Sequence, residues 1–442
     1  MRLGKARLLS IGRMQRLVAL GAAVVLAGTL TGAAVASATP PGSGSSGWVA
    51  TWAASPMQGT ALESSLAYAG FTNQTVRNII YTSVGGDQVR VQVTNTFGSK
   101  PLTVGAVSIG VVLHGAQLVP GTSRRLTFGG RRSVTIAAGG QVLSDPLPMR
   151  VRPLEELAVS LYLPTATGPA TNHSDAQQTN YIAAGNQAAA TAATAYTTTD
   201  SSWFFVDGVN VDDPGSDTTV VAFGDSITDG ALSQVSGNAR WPNYLASRLH
   251  ADLGDHAPAV VDEGISGNRV LNSSACFGVS AEARFERDAL GQPGVKAVIL
   301  LEGINDIGFS GEPDTGCYAP NNPTVTAARI EAGYRVLISM AHARGVKIYA
   351  GTLTPFLGSH ATYGGNYGTA KGERLREEVN NWILTSHAFD GVVNFSKVTA
   401  DPYNPEYLNP VYNAAGEGLH PGDLGYQAMA DAIPLSWLTP RS

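Results

Sequence analysis

Charge is scarce in this chain of 442 residues. Asp, Glu, Lys and Arg make up 14% of it, and no basic block stands behind the formal net charge of -5. Nucleic acid therefore has no electrostatic footprint here. Cysteine is scarcer still: Cys276 and Cys317 are the two, and neither has a partner at C-x-x-C or C-x-x-H spacing, which argues against a zinc site. After the first forty residues no run is apolar enough to span a bilayer. No internal repeat is present, and the Asp spacing between Asp207 and Asp217 does not fit a calcium loop. What is there, at 43% hydrophobic, is the composition of a globular protein. Its length suits two or three domains.

The N-terminus reads as a secretory signal over 1–38. Arg2, Lys5, Arg7, Arg13 and Arg16 make a positive n-region, Leu17 to Thr31 an apolar h-region, and Ala36-Ser37-Ala38 an A-x-A cleavage site. The competing reading is an uncleaved anchor, whose apolar stretch falls just short of spanning length. No twin arginine is present, which points to ordinary secretion. An extracellular destination makes a Cys276–Cys317 disulfide the expectation, with two buried free thiols as the alternative.

A Gly/Ser/Pro-rich linker (39–47) then leads into a β-patterned region over 48–205. Gln74 to Val84 and Gln88 to Thr94 flank Gly85-Gly86-Asp87 and predict a hairpin. Val89, Val91 and Val93 alternate with Arg90 and Gln92, one face buried and one wet. Further short runs (106–113, 125–128, 133–136, 148–151, 157–163), punctuated by Gly, Pro and Asp, predict an all-β sandwich or jelly roll. The acidic stretch 206–217 reads as a linker. Beyond it apolar strands alternate with helical stretches up to about residue 440. Thr219–Phe223, Ala259–Asp262, Ala297–Glu302, Lys347–Leu353 and Gly391–Phe395 are the strands. Ile330, Tyr334, Leu337 and Ala341 mark one helix, Leu375, Val379 and Trp382 another. This alternation predicts a parallel sheet covered on both faces.

Four stretches in that second region carry chemistry. Gly224-Asp225-Ser226 follows the first strand, where a serine either presents its hydroxyl above the sheet edge or merely caps a helix. Gly264-Ile265-Ser266-Gly267-Asn268-Arg269 follows the second strand, Gly303-Ile304-Asn305-Asp306 the third, and Glu417-Gly418-Leu419-His420-Pro421 precedes the last helix. Singly, each reads equally well as turn formers, a loop amide or a surface histidine. Together they supply what acyl transfer needs: a hydroxyl nucleophile, an imidazole, and donors for an oxyanion. Thr228 stands where the G-x-S-x-G elbow needs glycine. His360, in the Gly/Tyr-rich loop 358–368, is a weak binding candidate.

In order and spacing these blocks resemble the SGNH, or GDSL, hydrolases, over roughly 216–440. The resemblance implies a three-layer αβα (flavodoxin-like) domain over 218–440. It implies Ser226 as nucleophile and His420 as general base, with Asp225 fixing the turn. The backbone N–H groups of Ser226 and Gly267 and the side-chain amide of Asn305 would form the oxyanion hole. It implies ester hydrolysis with no cofactor and no metal, on a small-molecule or polymer-borne ester. The β-patterned region looks like the domain that precedes the hydrolase in some secreted actinobacterial members, where it would contact glycan. One departure stands out: Glu417 occupies the position of the family's aspartate. It either completes a Ser-His-Glu triad or leaves a dyad in which a backbone carbonyl orients the imidazole. Lipid or short-chain acyl esters are the expected substrates. A carbohydrate O-acetylesterase, and a glycan- or cell-wall-binding protein with a weakened hydrolase domain, are the alternatives.

Overall fold

Five apolar runs form a parallel sheet: β1 (Thr219–Gly224), β2 (Ala259–Gly264), β3 (Val295–Leu301), β4 (Lys347–Gly351) and β5 (Gly391–Val393), side by side in the order β2-β1-β3-β4-β5. The computed structural model describes residues 47–212 and 215–439, so the expected signal peptide and most of the linker after it lie outside the described residues. Val220 to Phe223 are wholly buried, as a central strand with both faces covered must be. The longer helices are α2 (Trp241–Leu253), α3 (Ala327–Ala343), α4 (Ala370–Thr385) and α5 (Asp423–Ala432), after a four-residue α1 (Ser226–Asp229). Arg248 of α2 pairs with Asp431 of α5 at 3.2 Å, while Tyr334 of α3 stacks on Trp382 of α4 with ring centroids 6.0 Å apart. Two helical layers thus enclose the sheet. The strand order reverses between β1 and β3, and open α/β sheets bind ligands outside the carboxyl ends at such a point.

The region before the parallel sheet is antiparallel, as its alternating valines predict. One sheet runs Trp48–Ala53, Val206–Asp212, Gly86–Thr94, Gln141–Leu143, and the other is built around Gln74–Tyr81 and Glu156–Leu163. Val89, Val91 and Val93 of the first and Val76, Leu157, Val159 and Leu161 of the second meet in one core.

Two sequence expectations fail here. Gln74–Tyr81 and Gly86–Thr94 do not form a hairpin, because they belong to different sheets. The segment between them bonds to the first strand instead: Ser83 N–H donates to Thr51 O (2.9 Å) and Val84 N–H to Thr51 Oγ1 (3.1 Å). Nor is 206–217 a linker. Val206–Asp212 is an inner strand, paired with Trp48–Ala53 on one side and Gly86–Thr94 on the other, so the sandwich extends through Asp212. Its acidic Asp207 is buried and accepts from Gln141 Nε2 at 2.9 Å. The charge there marks a buried partner and not a wet connector.

The strand Trp48–Ala53 joins the two halves. Val49 and Trp52 lie in the sandwich core, whereas Ala50 and Ala53 lie in the core of the parallel sheet. A register irregularity between Ala50 and Trp52 lets neighbouring side chains serve two cores. Ser83 Oγ accepts from Val260 N–H (3.1 Å), so the open edge of the parallel sheet at β2 is covered. The described residues form one compact unit.

Candidate active site

Strand β1 ends at Gly224, and Asp225 then caps α1, its side chain accepting from Ile227 N–H at 3.0 Å. Ser226 is thereby fixed as the first helical residue, at the carboxyl edge beside the switch point. His420 arrives from the turn before α5, and its Nε2 lies 2.8 Å from Ser226 Oγ. Both side chains are almost enclosed, each residue 6% exposed.

Glu417 occupies the same turn as His420. Its Oε1 accepts from the backbone N–H groups of Leu419 (3.1 Å) and His420 (2.5 Å), and stands 3.5 Å from His420 Nδ1. Burial pushes this carboxyl up, but hydrogen bonds and charge from His420, with help from Tyr363, outweigh it and hold the pKa below the ordinary range. The Tyr363 hydroxyl lies 3.2 Å from Nδ1. Tyr363 belongs to the Gly/Tyr-rich loop that drew attention for His360, yet His360 itself is exposed.

The turn after β2 docks directly on α1. Asp229 Oδ2 accepts from Ser266 N–H (3.1 Å) and Ser266 Oγ (2.8 Å), which brings Gly267 beside the helix that Ser226 opens. Among the described residues, neither Ser226 N–H nor Gly267 N–H donates to a protein acceptor. Asn305 follows β3. Its Oδ1 accepts from Tyr367 OH (2.6 Å) and its Nδ2 donates to Asn268 O (2.9 Å), so the amide cannot flip without losing both bonds. Asp306 holds the same turn from below, accepting from Val270 N–H (2.7 Å) and Leu271 N–H (3.1 Å). Three unused or fixed N–H donors and a paired hydroxyl–imidazole are the parts from which a tetrahedral oxyanion can be held.

Cys276 and Cys317 are bonded to each other. Their neighbours Phe277 and Tyr318 pack with ring centroids 5.2 Å apart, and Phe277 lies against Gly267. The cross-link therefore fixes an aromatic wall beside the site.

Several participants had no sequence signal of this kind. Arg284 is fully buried beside the turn that carries Ser226 and donates to Gly224 O (2.8 Å), Glu263 O (2.7 Å), Asn268 Oδ1 (3.0 Å) and Ser55 Oγ (2.9 Å). Burial lowers its pKa, and Asp288, Glu302 and Glu263 oppose that. His173 of the β region bridges Ser55 O (2.9 Å) and Asp229 Oδ1 (3.1 Å), so the sandwich grips the far end of α1. Asp225 is pushed up to about 7 by burial, with Asp306 and Asp229 adding to it and Arg284 and the Ile227 amide opposing. Only Tyr363 and Tyr367 could have been suspected, from their Gly/Tyr-rich loop.

Residues 222–428 match the GDSL-like Lipase/Acylhydrolase family. No curated protein matches the sequence. A GDSL-like lipase from Bacteroides thetaiotaomicron is 20% identical, with 49% of this chain and 86% of that chain covered and a TM-score of 0.34. An acetyl xylan esterase is 18% identical over 48% of this chain and 96% of its own, at a TM-score of 0.35. A variant of an acetyl-xylooligosaccharide esterase from Geobacillus is 21% identical over 52% of this chain and 97% of its own, at 0.33.

Proposed function

We propose, with residues 222–428 forming a GDSL-like lipase/acylhydrolase domain, that this ester hydrolase is a secreted serine esterase working through an acyl-enzyme. The observation that carries the mechanism is the 2.8 Å approach of His420 Nε2 to Ser226 Oγ. Ser226 Oγ attacks the ester carbonyl carbon while Nε2 takes its proton. The carbonyl oxygen becomes an oxyanion held by the amides of Ser226 and Gly267 and by Asn305 Nδ2. Collapse breaks the bond to the alcohol oxygen, which leaves with the proton from Nε2. A water then repeats the sequence on the acyl-enzyme and returns the serine.

Short acyl chains fit this reading best. The nucleophile is nearly enclosed, and Phe277, backed by Phe309 and Tyr318 at ring distances of 6.0 and 5.2 Å, lies against Gly267 of the proposed oxyanion hole. Secretion agrees with the disulfide. It also agrees with the fact that, among the described residues, no helix is long and apolar enough to cross a membrane.

An active-site serine probe tests the proposal. A fluorophosphonate should label the wild-type chain and leave Ser226→Ala unlabelled, and p-nitrophenyl acetate and butyrate should turn over faster than the octanoate. Failure of any fluorophosphonate to label the wild type would instead favour a binding protein. Preference for acetylated xylan over all three aryl esters would move the substrate to carbohydrate.

A further inference from the structure

The groups around His420 Nδ1 are not those of a simple triad. In the tautomer that accepts the serine proton at Nε2, Nδ1 carries hydrogen and must donate it. Glu417 Oε1 is 3.5 Å away and already accepts from two backbone N–H groups of its own turn. Its second oxygen, Oε2, is buried and has no hydrogen-bond partner among the described residues. The nearer acceptor for Nδ1–H is the Tyr363 hydroxyl at 3.2 Å. The ring of Tyr363 meets the imidazole edge-on, with centroids 5.8 Å apart. It also packs on Tyr367 at 5.6 Å, the residue whose hydroxyl fixes Asn305.

We infer that Tyr363 is a positioning residue placed between His420 and Glu417, its hydroxyl accepting from Nδ1–H and turning its own proton toward the carboxylate. The added methylene of glutamate, relative to the family's aspartate, sends the carboxylate back onto its own backbone amides. The phenol fills the resulting gap. When Nε2 takes the serine proton, the imidazolium is stabilised by the phenol oxygen, and the phenol in turn by Glu417. No proton has to leave the tyrosine, because the hydroxyl keeps one donor and one acceptor role throughout. The phenol is suited to that neutral role: burial and the adjacent Glu417 charge both push its pKa up. This inference rests on the esterase reading.

Tyr363→Phe keeps the ring and removes the hydroxyl. The expected result is a loss of about 10- to 100-fold in the rate of fluorophosphonate labelling and in kcat/KM, the size of one lost hydrogen bond to a charged group. The acid limb of the kcat/KM profile should shift to lower pH, because the imidazolium loses an acceptor. A residue that merely packed against substrate would change KM and leave that limb in place. Glu417→Ala should shift the limb the same way. The double variant should lose much less than the product of the two single losses, since both act through one hydrogen. Labelling of Tyr363→Phe within a factor of about three of wild type, with an unmoved acid limb, overturns the inference alone. A wild-type chain that no probe labels overturns this inference and the esterase reading together.

Discussion

Gly267 holds a φ of +76°, and a Cβ built there would fall 2.3 Å from the ring of Phe277. Two separate constraints therefore keep this position glycine: a left-handed backbone and a ring that cannot retreat, because Tyr318 and Phe309 back it. Gly267→Ala must either twist the turn or push the aromatic wall, and both move the N–H proposed above as an oxyanion donor. The expected loss is on the order of 10²-fold in kcat, the scale of one displaced donor, with little change in KM. A steady-state comparison with wild type checks it, and an unchanged kcat would remove Gly267 from the oxyanion hole. Tyr363 and Tyr367 show the same logic in reverse. They never touch the scissile bond in the scheme above, yet they decide where an imidazole hydrogen and an amide nitrogen point.

Arg284 sets the geometry at the scale of elements. It lies in the short helix Ala281–Phe285 and ties the ends of β1 and β2, the turn at Asn268 and Ser55 of the β region with one guanidinium. Asp288 and Glu302 lie 3.6 and 3.5 Å from it. Arg284→Met should therefore cost about 3–5 kcal/mol, because Glu302 loses its counter-charge and four buried acceptors lose their donor, while Asp288 keeps Arg287. Urea unfolding of the variant measures this, and a midpoint equal to that of wild type would refute it. None of this was legible in the sequence, where an arginine on a short helix looks like a solvated face. The parallel strands were legible, since doubly buried strands are written as unbroken apolar runs. The four blocks around Ser226, Gly267, Asn305 and His420 were legible for a different reason: each directly follows a strand or precedes a helix. The pairing of the sandwich was not. Gly85-Gly86-Asp87 specifies a turn, but whether the next strand returns to the same sheet is decided by Thr51, some thirty residues earlier. Val206–Asp212 was hidden because Asp207 and Asp212 disguise an inner strand as a connector, and tertiary partners such as Gln141 make Asp207 tolerable there.

Taken as a whole, the molecule buries more acid than its modest charge suggests. Asp207 and Asp262 are each pushed up to about 7, in both cases chiefly by burial. Asp306 rises to about 6 for the same leading reason, against the Val270 and Leu271 amides. A carboxyl whose pKa is higher folded than unfolded binds more protons in the native state between the two values. Stability from such a group is full below the unfolded pKa near 4 and is lost as pH rises through 6 to 7. His173 works in the same direction. Its pKa is raised: burial lowers it, but the Asp229 charge and the hydrogen bonds outweigh that. The chain should therefore resist urea better at pH 5.5 than at pH 8. Asp207→Asn isolates one contributor: it keeps the shape and an oxygen for Gln141 but has no charge to bury. At pH 8 the variant should gain on the order of 2 kcal/mol, about half of what a carboxyl held at about 7 implies at ~1.4 kcal/mol for each tenfold in proton affinity. At pH 5.5 it should gain less. Urea midpoints for both chains at the two pH values decide the matter, and equal slopes against pH would show that Asp207 is ionised in the folded protein at no cost.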